Sequence, residues 1–188
     1  VVLCRPGTLG KPDFFSETAL TVSANDPIDI ACSSTFPSEL FDGIDINTGL
    51  VVFSTNQQFL LSSDDTVLNP DTAKLRSISA FNYNKDIPPI SLGTTLAYID
   101  NSGKFSRFNE MANIQREGEP SIVEQSKVVP TLLKKDLDLI TNSRENNMVF
   151  LAKAYDTSCE VVGFRYLNVG DKRQQSAWFM WRLNRPIV

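Results

Sequence analysis

The strongest constraint on how this chain folds is the punctuation of its last third. Four apolar-rich runs follow one another there: Asp136-Leu137-Asp138-Leu139, Met148 to Ala154, Glu160 to Leu167 and Gln175 to Leu183. Polar stretches separate them: Asn142-Ser143-Arg144-Glu145-Asn146, Asp156-Thr157-Ser158 and Val169-Gly170-Asp171-Lys172. Runs and gaps this short leave no room for crossover helices, so neighbouring strands must run antiparallel. The pattern predicts a four-stranded meander, the unit from which a propeller blade is made.

Strand signals dominate upstream as well. Leu50-Val51-Val52-Phe53-Ser54 and Gln58-Phe59-Leu60-Leu61-Ser62 flank Thr55-Asn56-Gln57 and read as a hairpin. Thr95-Leu96-Ala97-Tyr98-Ile99 and Lys104-Phe105-Ser106-Arg107-Phe108 flank Asp100-Asn101-Ser102-Gly103, whose residues tolerate the left-handed conformations of tight turns. Helical signals are sparse. Pro120 to Val129 is one candidate, opened by Pro120 and closed by Pro130, and a single turn near Ser38 to Phe41 is another. Thr131 to Ile140 carries leucines at nearly helical spacing, but the Asp/Leu alternation from Asp136 favours loop and then strand. The expected fold is mainly β: antiparallel meanders, propeller-like blades and one or two short helices. No consensus repeats at a fixed period, as a WD-type propeller would require. The 188 residues suit a single β-rich segment, with sub-units at 1–118 and 130–188.

Composition narrows the function. The chain has no histidine, which removes the commonest general acid–base and metal ligand. Ser176 therefore has no Ser-His partner. The net charge of −4 argues against an electrostatic grip on nucleic acid. Cys4, Cys32 and Cys159 match no zinc spacing and, being odd in number, no disulfide framework; they read as buried reduced thiols. No apolar stretch is long enough for a transmembrane helix. The first residues do not read as a signal peptide; Val1-Val2-Leu3-Cys4 reads as a strand entered partway, as in a piece of a longer polypeptide.

The close carboxylate pairs are Asp64-Asp65, Asp136 with Asp138, and Glu117 with Glu119. A glycosidase needs two carboxylates facing across a cleft, roughly 5 to 9.5 Å apart. Acids on one loop or one strand face do not supply that, so these read as solvated. Asp26-Pro27-Ile28-Asp29-Ile30 reads as a turn entering a strand, without calcium-loop spacing. The doublets Lys134-Lys135 and Lys172-Arg173 are the basic candidates. Tyr166, Trp178 and Trp181 near the second could stack on single-stranded nucleic acid, but a doublet in a turn with aromatics in strands favours packing. Trp178 and Trp181, three residues apart, should take opposite faces of their strand. Catalytic residues, cofactor and metal ligands are all expected to be absent.

Three segments carry a family resemblance. The first is Phe14-Phe15 with Asn25-Asp26-Pro27-Ile28-Asp29-Ile30. The second is the Leu50-to-Leu61 strand pair with Leu68-Asn69-Pro70-Asp71-Thr72. The third and most specific is Gly170-Asp171-Lys172-Arg173-Gln174-Gln175-Ser176-Ala177-Trp178-Phe179-Met180-Trp181. In order and spacing they resemble the tail tubular protein B family, the tail nozzle proteins of short-tailed bacteriophages. Asp71 departs from that pattern, where the family has lysine, and Leu92 to Arg116 keeps only a hairpin pattern. The resemblance implies a structural virion protein and an internal segment of a larger chain. It implies a hexameric ring in the tail, assembled in the host cytoplasm, beneath the adaptor or gatekeeper ring and beside the tail fibres. DNA would be met only in transit through the lumen, and no small-molecule substrate is implied. The motif residues are then structural: Asp26, Pro27, Asp29, Gly170, Asp171, Lys172, Arg173, Gln175, Ser176, Ala177, Trp178 and Trp181. The competing reading is a host-surface module that binds or degrades polysaccharide, with Tyr83, Tyr98 and Trp181 stacking on sugars; a cellular propeller scaffold would need the regular repeats that are missing.

Overall fold

The computed structural model describes residues 2–3, 28–32, 34, 37–169 and 172–187. Phe14, Phe15, Asp26, Pro27, Gly170, Asp171 and Cys4, singled out above, lie outside the described residues. The fold is mainly β. A small pair joins β1 (Val2–Leu3) to β2 (Ile28–Asp29). Three four-stranded antiparallel sheets follow, each a simple meander. The first holds β3 (Leu40–Ile46), β4 (Gly49–Ser54), β5 (Gln58–Ser63) and β6 (Ala73–Ser79). The second holds β7 (Ile90–Ser91), β8 (Leu96–Asp100), β9 (Arg107–Ala112) and β10 (Ser121–Glu124). The third holds β11 (Leu139–Ser143), β12 (Met148–Ala152), β13 (Glu160–Val169) and β14 (Lys172–Arg182). The one helix among the described residues is a 3-10 turn, Gln125–Val128. None is long and apolar enough to cross a membrane.

The sheets begin at Leu40, Ile90 and Leu139, so consecutive meanders are offset by 50 and then 49 residues. The repeat is one of geometry without a sequence consensus. Each meander needs only apolar residues at alternate positions and turn-compatible residues between strands, and many sequences satisfy both. Two aspartates build turns the same way. Asp100 accepts hydrogen bonds from the Ser102 amide (2.7 Å) and hydroxyl (3.0 Å), and Asp156 accepts them from the Ser158 amide (3.1 Å) and hydroxyl (2.5 Å). Gly49 leaves the β3–β4 turn at φ +146, and a Cβ there would run into the Leu61 carbonyl, so only glycine fits.

The core lies between sheets, in two layers. Val51, Phe53 and Leu60 of the first sheet meet Leu96, Tyr98 and Met111 of the second. Ala97, Ile99 and Phe108 of the second meet Val149, Leu151, Val162 and Phe164 of the third. The second sheet is thus covered on both sides, which is why β8 is buried at every position and reads as an apolar run rather than an alternation.

Several expectations are corrected. Pro120 to Val129 is not an α-helix: Ser121–Glu124 pairs with β9, because that edge would otherwise leave its backbone groups unpaired, and only then does the 3-10 turn follow. Ser38 to Phe41 leads into β3 rather than forming a helical turn. The second strand of the Asp100 hairpin starts at Arg107, not Lys104. Ser106 turns toward the loop before β11 instead, its amide donating to Leu133 O (3.2 Å) and its hydroxyl to Lys134 O (2.7 Å). The run from Asp136 is not yet strand: Asp136 has φ +61, Leu137 plugs the core, and the Asp138 carboxylate accepts the Ala154 amide at 2.7 Å. Asp136 and Asp138 therefore do not share a sheet face. Asn142 and Ser143 belong to β11, and Lys172 and Arg173 to β14, not to the turns. Cys32 and Cys159 are half-buried rather than buried.

Candidate functional site

The acids singled out in the sequence do not converge. Asp64 forms a surface ion pair with Lys74, and Glu117 and Glu119 are exposed. Among the described residues no group of acids, cysteines or histidines could hold a metal ion. Of the aromatics proposed for sugar stacking, Tyr83 and Tyr98 are core residues and only Trp181 is open to solvent. The Tyr83 hydroxyl, with its single proton, lies within hydrogen-bond distance of two acceptors, Asp42 Oδ2 (2.5 Å) and Ile87 O (2.8 Å), and burial followed by the Asp42 carboxylate pushes its pKa far above the usual phenol range. Burial, then the Asp100 charge, does the same to Tyr98. Both phenols stay neutral, as packing residues do.

The residues that do converge lie on β14, in two places. On its core-facing side Arg173 and Trp178 fasten the third sheet to the second. The Arg173 guanidinium pairs with Glu110 Oε1 at 2.6 Å and donates to Asn168 Oδ1 at 2.6 Å. Its Cζ sits 4.7 Å from the Tyr166 ring centroid. Glu110 also accepts hydrogen bonds from the Thr95 hydroxyl and the Gln125 amide, each 2.8 Å. Taking a carboxylate and a guanidinium out of water costs several kcal/mol per ion, about what their attraction returns only when the other lone pairs are satisfied. Here the carboxylate is satisfied by three donors, so the pair holds the two sheets in one register. Beside it the Trp178 indole donates to Gln125 O at 3.1 Å. Its ring lies 4.7 Å from Phe164 and meets Phe108 edge-on at 5.7 Å. Such aromatic pairs add roughly 0.5–1.5 kcal/mol each beyond area burial.

On the opposite side of β14, Trp181 and Phe179 join Phe150 of β12. The Trp181–Phe150 and Trp181–Phe179 centroids are 5.3 Å and 5.2 Å apart. Gly163 stands opposite both Phe150 and Phe179 in the ladder, and the Phe179 ring lies in the space where a side chain at 163 would be. Trp181 is 51% exposed, so this cluster forms the floor of a face, not a core. The same face continues past Ala177 to a hollow of about 410 Å³ lined by Arg165, Leu167, Gln175 and Ala177, with Asn146 and Asn147 at the rim.

Trp178 and Trp181 thus take opposite faces, as their spacing predicts, with no bulge between them. Of the other motif residues, Ser176 is exposed opposite Tyr166, and Lys172 begins β14 opposite Val169. Asp29 is exposed on β2. The sequence reading missed Glu110, Gln125 and Thr95. One signal could have found Glu110: it lies two residues beyond Phe108 in a strand, so it shares that residue's inward face, and an acid there demands a partner.

The family model for the bacteriophage nozzle protein matches residues 1–187. The tail tubular protein gp12 of Escherichia phage T7 is 20% identical over 176 residues, which is 93% of this chain and 22% of that protein. The chain therefore spans less than a quarter of the length of this relative.

Proposed function

Because the chain belongs to the bacteriophage nozzle protein family, we propose that it is part of a structural subunit of a phage tail, whose assembled ring forms the tube through which the genome leaves the particle. The family match over residues 1–187 carries this reading. The architecture supports it. A stack of blade-like sheets, fastened by a buried ion pair and aromatic contacts, suits a wall. The motif residues Arg173 and Trp178 serve as fasteners between blades; Lys172, Gln175, Ala177 and Trp181 belong to the outward face.

In this reading the sheets are consecutive blades of a propeller-like body, and six copies of the whole subunit close a ring. Its heterologous contacts match one surface patch with a different one on the neighbour. The adaptor ring lies above and tail fibres dock at the side. The net charge of −4 suits a lumen that repels phosphates and lets DNA slide. The test is imaging of the intact polypeptide, alone and in tails: a six-fold ring coaxial with DNA is the expected result. A strictly monomeric protein absent from purified tails, or a lumen lined mainly by Lys and Arg, would overturn the respective part.

A further inference from the structure

We infer that the face of the third sheet bearing Phe150, Phe179 and Trp181 is the seat of a further four-stranded sheet of the same polypeptide. The two filled junctions show what covers such a face. The first sheet turns Val51, Phe53 and Leu60 toward the second, and the second turns Ala97, Ile99 and Phe108 toward the third. In each case the cover is the meander that begins 50 or 49 residues later in the same chain. The third sheet turns its own aromatic cluster onward in the same sense, with no described element upon it.

The chemistry of the face matches those covered junctions. A sheet buries an apolar face against another layer. Trp181 is 51% exposed and Leu167, on the same face, 47%. Large apolar side chains gathered open on one sheet face point to a contact site. The hollow of about 410 Å³ beside Leu167 and Ala177 has room for a large side chain from the covering layer. Arg165 and Lys172 are exposed on this face and make no ion pair among the described residues. In the filled junction below, Glu110 of one sheet meets Arg173 of the next. The covering sheet therefore carries an acid aimed at Arg165. A second copy of the chain is the lesser candidate, because both filled junctions are made within one chain and the matched relative is several times longer. The inference rests on the packing pattern and does not depend on DNA conduction.

Hydroxyl-radical footprinting of the full-length polypeptide, read by peptide mass spectrometry, tests this without a substitution. The expected result is that Trp181 oxidises as slowly as Trp178 in dilute, unassembled protein, several-fold slower than a tryptophan half-open to water. A second reading uses Ala177→Cys, whose thiol should resist alkylation several-fold longer than a cysteine placed at the exposed loop position in Thr66→Cys. Fast oxidation of Trp181 in both dilute and assembled protein would overturn the proposal. Protection that arises only on assembly would overturn it too, assigning the face to a neighbouring copy.

Discussion

The two faces of the third sheet carry similar aromatic side chains and do opposite things with them. On the core-facing side Phe164, Tyr166 and Trp178 are wedged against the second sheet, and the Arg173 guanidinium beside them meets Glu110. On the other side Phe150, Phe179 and Trp181 cluster among themselves, and Arg165 is exposed with no ion pair among the described residues. Residue type does not separate the two faces; the presence of a facing sheet does. A tryptophan gains packing on one side only when a second layer supplies the other, and an arginine is held only where an acid has been placed opposite it.

Four measurements test that contrast. The largest effect is expected for Phe164→Ala. It empties the centre of the aromatic junction and should cost about 3–5 kcal/mol in urea unfolding of the intact protein; a loss below about 1 kcal/mol would mean that the core-facing side is no more committed than the other. Next is Arg173→Met, which strands Glu110 without its cation and should cost about 3 kcal/mol. Adding Glu110→Gln should restore much of the loss, since it removes the uncompensated charge while keeping a polar group for Thr95 and Gln125. Equal damage from the single and double variants would show that the pair matters only through packing.

A smaller effect is expected for Gly163→Ala. Its Cβ must displace the Phe179 ring, which the covering sheet inferred above lets shift only in part, so the cost should be about 2 kcal/mol. A cost near zero would show that the ring swings freely and that no layer covers this face. The smallest effect concerns the exposed charge network at the end of the sheet, where Lys134 pairs with Asp156 (3.1 Å) and Glu160 (2.8 Å). Hydrogen bonds from Ser158, followed by one from Lys134, hold the Asp156 carboxyl down at about 2. A carboxyl with a lowered native pKa contributes stability that is fully present above its unfolded value and is lost as pH falls through the folded one. A carboxyl-carbon NMR titration of Asp156 should thus have its midpoint near 2, with any stability effect confined to the acid side of its ordinary pKa of 3.8. A midpoint at the ordinary value would show that the turn is loose in solution.

Much of this fold is legible in the chain because period-two alternation and turn chemistry are local. The β4–β5 hairpin, the strands at Met148, Glu160 and Gln175, and the opposite facing of Trp178 and Trp181 all follow from a pattern within about ten residues. Pro120 to Val129 has the punctuation of a helix, yet its first half is drawn into the second sheet by the unpaired edge of β9. β3, with Asp42, Gly43 and Asp45 among its seven residues, lacks the composition of a strand and becomes one because β4 lies alongside. Leu133 and Leu137 look like part of a strand or helix and are instead loop residues pressed into the core.

Residue identity and short-range order are enough for the strand-rich class, the antiparallel meander, the lack of any histidine-based chemistry and the family to which the chain belongs. The packed fold adds that the meanders recur every 49–50 residues and stack face to face, that Arg173 answers Glu110 across 63 positions of chain, and that one tryptophan is core while its neighbour is surface. Burial belongs to pairs of surfaces. Alternation tells which side chains share a face, but what that face meets is set by a layer elsewhere in the chain, and no local pattern carries that information.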